Sequence, residues 1–363
     1  MKNIFAPLLI LGCLFLFASC HSSKVDNNRE VRDVFLSDSS TVLNLTAEVV
    51  PLDLLCPTGI LVIDTFLLVL QHAEDTYIKV YSLDNYHFLG DFLRRGGGPN
   101  EVNVFGRFTQ WFVEEGEAKA LIQSYPQYVA VLNINQSLQK KEAVFEKRYP
   151  FMDDANKSIF AESNAAFLIK DGLFLLTKDP VRSQRKEDYN MYFELYDYNA
   201  NLVLNSFYAM NIPYLSLNIP AFYQGAMTLK PDKKKIAVFG RFLNMYTITD
   251  LDQAKALQYF PEGKSFDLEK IKNAPAHYYW AVCSTNERLI ALSKKGVRPE
   301  DLEKDETPSE IHILDWDGRM LYRLMIKDNI KCISIDERNG LLYAVLMNDR
   351  IVKYNVQVFL SIV

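Results

Sequence analysis

The sequence predicts an all-β protein: a six-bladed β-propeller of four-stranded antiparallel blades, with the last blade completed by an N-terminal strand. Three observations predict it. The 363 residues include 20 Tyr, 23 Phe and 3 Trp against only 15 Gly, a balance that suits pleated, half-buried surfaces. A short alternating segment recurs six times, with the period of two that marks a strand with one buried face. Each copy is flanked by further short apolar runs, which brings the count to about four strands per unit.

The six copies span residues 80–85, 131–136, 195–200, 245–250, 313–318 and, in curtailed form, 353–356. Counted from their second residues they lie 51, 64, 50, 68 and 40 apart, the period expected of propeller blades rather than of shorter solenoid repeats. An apolar run precedes each copy, at 67–71, 118–124, 172–178, 235–240, 288–293 and 341–348. Five copies are followed by another, at 87–93, 138–145, 202–208, 256–260 and 320–326. Tyr81, Tyr196, Tyr246 and Tyr354 recur in equivalent strands, which assigns these rings to packing. Only nine residues follow Tyr354, too few for a full last blade, so the strand-like stretch 43–53 is expected to complete it and close the open edge. A parallel sandwich or a seven-bladed ring is the competing reading.

The N-terminus carries an address. Lys2, an apolar run over 4–17 and small residues ahead of Cys20 form a secretory signal peptide, and the run is too short to span a bilayer. Ala18-Ser19-Cys20 resembles the bacterial lipobox, with Phe17 where Leu is usual. The expected organisation is a lipoprotein signal peptide over 1–19, a polar tether over 20–42 after a lipidated Cys20, and a propeller domain over 43–363. Several acyl chains on Cys20 would anchor the chain firmly, at about 0.8 kcal/mol per buried methylene. The expected location is the cell envelope, on the outer membrane. Asp26 is a thin version of the acid-rich signal for surface export, which leaves both sides of that membrane open. Removing the leader takes the formal charge from −5 to −6 through loss of Lys2. That mild acidity excludes a typical nucleic-acid binder. Cys56, Cys283 and Cys332 are an odd set among apolar residues, so at most one pair can form, and buried free thiols are expected.

Propeller geometry places the second-to-third loops and the blade-to-blade connections on one face, and here those segments hold nearly all the length variation: 94–110, 124–127, 178–190, 211–224, 261–277 and 294–310. Loops on a rigid scaffold carry function, so this face is the expected binding side. Its candidate ligand-face residues are Arg94, Arg95, Asn100, Glu101, Arg107, Tyr125, Tyr223, Arg241, His277 and Tyr278. The arginines suit an acidic ligand, and the rings, with Trp111, Tyr214 and Tyr279, suit stacking on a sugar. The run Arg94-Arg95-Gly96-Gly97-Gly98-Pro99-Asn100-Glu101 is neither a Walker loop nor a dinucleotide turn; its first expected role is a tight crossing between blades.

Catalysis has little support. His21, His72, His87, His277 and His312 show no metal-ligand spacing, no Cys-x-x-Cys occurs, and no Gly-x-Ser-x-Gly elbow is present. No cofactor and no metal are expected, and no catalytic residue is assigned. Most carboxylates fall at turn positions.

Taken together, the lipobox, the polar tether, the turn Gly96-Gly97-Gly98-Pro99-Asn100-Glu101, the Pro-Asp-Lys-Lys-Lys turn at 231–235 and the six repeats resemble the TolB-like six-bladed propeller lipoproteins of Bacteroidetes. The resemblance covers essentially the whole mature chain and implies an envelope-anchored propeller without a defined chemistry. The expected function is therefore a non-enzymatic binding or scaffolding module with a protein or glycan partner. Alternatives are a glycan- or small-ligand-binding propeller and, less favoured, a hydrolase or lyase with its site in the central channel.

Overall fold

The computed structural model describes residues 31–36, 41–72, 74–98, 100–125, 127–152, 160, 163–178, 191–212, 225–263, 271, 273–304 and 307–360. Cys20, the signal peptide, Pro99 and Tyr223 lie outside them.

Six small sheets follow one another around a ring, a six-bladed β-propeller. Each begins with an antiparallel meander, as the repeats predict. In the first sheet the meander strands are Pro57–Ile63, Phe66–Gln71, Thr76–Ser82 and Phe88–Arg95. First strands of different sheets touch one another, one with two, two with three, two with four, four with five, five with six and six with one, which makes the first strand of each meander innermost and the last outermost. The reason for the ring is visible in the core. Six apolar clusters occur, one in each gap: between sheets one and two, two and three, three and four, four and five, five and six, and six and one. Each sheet thus has two buried faces, and strands such as Phe66–Gln71 read as continuous apolar runs rather than alternating ones. Tyr81, Tyr196, Tyr246 and Tyr354 are all buried.

Polar contacts stitch the same gaps. Gln110 behaves like a strand residue towards the third sheet, with Oε1 accepting from Leu168 N at 2.6 Å and Nε2 donating to Leu168 O at 3.0 Å. Tyr246 and Tyr259 of the fourth sheet donate to the carbonyls of Gly318 and Asp317 in a turn of the fifth, at 2.8 and 2.6 Å. Gly318 has φ +81, and a Cβ there would fall 2.1 Å from Tyr259 Cζ, so both the turn and the ring that leans on it require glycine.

Strand counts depart from the expected uniform four. Three sheets have four strands and three have five. In the first sheet the extra strand is Glu101–Val102; in the fourth and fifth it comes from the chain's N-terminal part. Val31–Phe35 pairs in parallel with Lys255–Phe260, the outer strand of the fourth sheet, and Thr41–Asn44 pairs in parallel with Met320–Ile326, the outer strand of the fifth. Glu48–Val49 then pairs antiparallel with Ile351–Asn355 and is the fourth strand of the sixth. The N-terminal completion of the last blade is present, but through two residues rather than one strand over 43–53. The stretch expected as tether contributes strands from residue 31. Phe35 stacks on Phe260 at 5.0 Å, and Asp33 accepts from Gln258, so the arm has side-chain as well as backbone attachment.

A second departure lies in the second sheet. The stretch 138–145 is expected as a strand, yet Ile134–Lys140 is a helix and the outer strand is Val144–Pro150. Asn133 caps the helix by accepting from Gln136 N at 3.0 Å, and Lys141 ends it with φ +57. The thiols of Cys56, Cys283 and Cys332 are unpaired as expected, but Cys56 is exposed rather than buried.

Two buried ionisable groups control how stability should respond to pH. Glu310 on the third strand of the fifth sheet is contacted by Arg323 Nε, and His312 Nε2 lies 3.2 Å from the same carboxyl. Burial alone would raise its pKa; these contacts outweigh burial and hold it to about 2, from 4.5. The unfolded chain takes up the proton first as pH falls, so this contribution is complete above pH 4.5 and is lost towards pH 2. Urea midpoints across that window should show a fall of up to about 3 kcal/mol, and Glu310→Gln should flatten it; parallel profiles would reject the assignment. Lys294 is buried without a carboxylate, donating to Ser309 Oγ and Asn329 Oδ1, and burial pushes it down to about 7. Here the unfolded chain binds the proton more strongly, so stability should rise from pH 7 to 10.5 in the native protein and not in Lys294→Met.

Candidate functional site

The candidate residues do not converge on one patch. Arg94, Arg95, Asn100 and Glu101 sit on the rim of the first sheet, while Arg241, His277 and Tyr278 lie at the junction of the fourth and fifth, on the opposite side of a six-membered ring. Arg107 and Tyr125 fall in strands Val104–Glu114 and Glu117–Tyr125 of the second sheet rather than in loops. His277, Tyr278 and Tyr279 likewise belong to a strand, His277–Ser284. These corrections share a cause: the inner strands extend further into the expected connections than their apolar runs show.

The rim group borders a cleft of about 710 Å³ between the outer strand Phe88–Arg95 and the helix Ile134–Lys140 of the next sheet. The volume lies within the range of sites for small molecules and peptide segments. One wall is apolar: Phe88 is 46% and Leu89 41% exposed, and Leu138 faces them from the helix. The end is formed by the glycine-rich turn. Two-residue strand Glu101–Val102 returns in parallel onto Arg94 and Arg95, so the turn is short and closed on itself. The Glu101 carboxylate fills the space beside two glycines. It accepts from Gly98 N at 2.9 Å, and a Cβ on Gly96 would fall 2.1 Å from its Oε2.

Most polar groups here hold the crossing together. Arg95 donates to His72 O at 2.8 Å and lies over the Tyr77 ring at 5.2 Å. Asn100 accepts from Arg148 at 3.0 Å and donates to Glu142 at 3.4 Å. Tyr128 donates to Glu101 O at 3.1 Å. Asp91 accepts from Thr76 at 3.0 Å. By contrast, the side chains of Arg94 and Lys141, both exposed and both lining the cleft, make no hydrogen bond, ion pair or ring contact among the described residues. The cleft therefore joins apolar surface to uncommitted hydrogen-bond donors.

Sequence reasoning found Arg94 but missed Lys141, Leu138 and Arg148. The signal was present: Asn133 followed by a run of helix formers through Lys141 reads as a capped helix, masked by the preceding alternation over 128–133.

At the other junction, Arg241 lies over the Trp280 ring at 4.6 Å. His277 is buried between Phe242, at 4.7 Å, and Trp280, at 5.2 Å. Burial, followed by the Arg241 charge, lowers its pKa below 6.5. Burial also raises the Tyr278 hydroxyl, with Glu262 adding to the effect. One Trp280 face is thus covered by a guanidinium, which removes it as a platform for a sugar. Among the described residues no group of three or more His, Cys, Asp and Glu side chains is arranged to hold a metal.

No family model matches the chain, and no curated protein matches it. Solved structures do. A member of the DUF4221 family from Bacteroides vulgatus is similar with a TM-score of 0.57 at 13% identity, over 86% of this chain and 97% of that one. A protein described as exported, from Bacteroides fragilis, gives 0.49 at 15% identity, over 89% and 98%. The first likeness supports the fold and carries nothing about chemistry.

The turn geometry yields a test. Gly96→Ala should displace the Glu101 carboxylate and cost about 1–3 kcal/mol, read as a lower urea midpoint. In Glu101→Ala the steric part of that cost should vanish and only the backbone strain of a Cβ at φ +154 should remain, so the double mutant should be less destabilised than the sum of the two single changes. Equal costs in both backgrounds would sink the account.

Proposed function

We propose that the protein is a lipid-anchored, extracytoplasmic propeller that serves the cell envelope as a non-enzymatic binding or scaffolding module, with the rim cleft as its binding surface. The observation that carries the reading is the imbalance inside the cleft. Asp91, Glu101 and Glu142 each already accept a hydrogen bond from the protein, while Arg94 and Lys141 have none to donate to. Such a surface is equipped to hold a partner with acceptors.

The location rests on the leader, on the lipobox ending at Cys20 and on the resemblance to TolB-like envelope lipoproteins. No helix among the described residues is long and apolar enough to cross a membrane. The glycan reading draws on the rings near Arg241 and is the weaker of the two, because the guanidinium occupies the Trp280 face.

The test places a photo-crosslinking residue at Lys141 in the acylated, full-length protein in its own membranes. A discrete adduct is expected that is absent from the Cys20→Ala chain and lost with Arg94→Glu, whereas the same probe at exposed Leu204 of the third sheet does not give it. An adduct indifferent to Arg94, or none above the Cys20→Ala control, would overturn the reading.

A further inference from the structure

The outer edges of the six sheets are treated unequally. The fourth and fifth are covered by parallel strands from the N-terminal arm. The first is covered only at Arg94 and Arg95, by Glu101–Val102. Immediately before that point, Phe88–Phe92 forms the floor of the cleft with no strand beside it on the rim side. Five residues of strand span roughly 17 Å, and an uncovered edge of that length is a template for another strand. Edges are ordinarily blunted by charge; the one charge on this edge, Asp91, is already engaged by Thr76, and the two side chains that open the edge are the exposed Phe88 and Leu89. The β-bulge of this strand lies within the open part, where Val80 and Tyr81 face Gly90 and Phe88 and leave Leu89 as the extra residue; Leu93, buried with φ +68, stands between the open part and the covered part.

We propose that the open edge Phe88–Phe92 takes an extended peptide segment of a partner protein as an added strand, with an acidic side chain of that segment held by Arg94 and Lys141. The proposal deepens the rim-cleft reading and rests on it. Three features specify the occupant. The backbone edge selects an extended chain, the mode in which main-chain bonds give affinity and alternate side chains give selectivity. Phe88, Leu89 and Leu138 supply an apolar wall for every second residue. Arg94 and Lys141 supply donors without acceptors, and a carboxylate is the side chain that matches a guanidinium fork. The fold already uses this geometry on itself three times, at Val31–Phe35, Thr41–Asn44 and Glu101–Val102, each pairing in parallel. A segment added in the same sense would run towards the turn and end against Gly98 and Asn100. Leu138 Cδ2 would stand 3.3 Å from a Cβ at residue 90, so Gly90 keeps the cleft open beneath the helix.

Selection from a displayed library of random seven-residue peptides against the purified mature chain tests this. The expected result is enrichment of alternating apolar sequences that contain Asp or Glu. Arg94→Glu and the cleft-filling Gly90→Leu should each weaken the best peptide at least tenfold, and Leu204→Lys on the third sheet should not. Replacing alternate peptide amides by N-methyl amides should abolish binding while leaving charge unchanged, and hydrogen exchange at 88–92 should slow in the complex. The N-methyl arm and the exchange readout need no variant to fold. No enrichment, peptides without an acid, or binding that survives both N-methylation and Arg94→Glu would overturn the proposal. If the Lys141 adduct forms while peptide selection fails, the cleft remains a binding surface and strand addition alone is rejected. Peptide binding without an adduct would reject the envelope role alone.

Discussion

Every sheet in this molecule is apolar on both faces, and that single constraint dictates the rest. A sheet with two buried faces needs a neighbour on each side, and six such sheets satisfy one another only by going round, with one cluster per gap. Since the faces are consumed by packing, recognition is left to the ends of the blades and to their outer edges. The cleft at the first sheet exploits the second option. It arises where a helix stands between the third and fourth strands of the second sheet and holds space open beside its neighbour's edge.

The glycine-rich turn shows how adjacent residues of one sequence signal can differ between engaged and unengaged side chains. Arg95, Asn100 and Glu101 are engaged by His72, Tyr77, Arg148, Glu142, Gly98 and Tyr128, and together they fix the crossing from first sheet to second. Arg94, one residue earlier, is left over. The neighbouring arginines look alike in sequence because both are charged and both precede the glycine run. Strand alternation separates their surroundings.

Much of the fold was legible because its signal is repetitive. Tyr81, Tyr196, Tyr246 and Tyr354 recur at blade spacing and are all buried in equivalent strands. What was not legible is non-local. Val31–Phe35 looks polar and tether-like because it adds to an outer edge, where burial is slight and alternation carries little information. The helix at 134–140 was hidden by an alternating run on its N-terminal side, although Asn133 is a competent cap. His277 and Tyr278 look like loop in the sequence because register shifts at His277–Ala281 break the alternation of their strand. The site was half legible: the turn announced Arg94, but its companion Lys141 comes from a different sheet, and only the packing of two blades brings them to one cleft.

The N-terminal arm has a mechanical meaning. It passes along the fourth, fifth and sixth sheets in turn before the chain enters the first, attached to the outside by short strands with largely exposed side chains. Tension arriving from the N-terminal side meets first the pairing of Val31–Phe35 with Ala256–Phe260, together with the packing of Val34 and Leu36 on the cluster between the fourth and fifth sheets. Releasing residues 31–47 would free up to roughly 55–60 Å of chain at the extended spacing, and would take Val34 and Leu36 from the gap between sheets four and five and Leu45 and Ala47 from the gap between five and six. Paying out that length therefore loosens two of the six gaps at their outer ends, while the inner strands of every sheet keep their pairing.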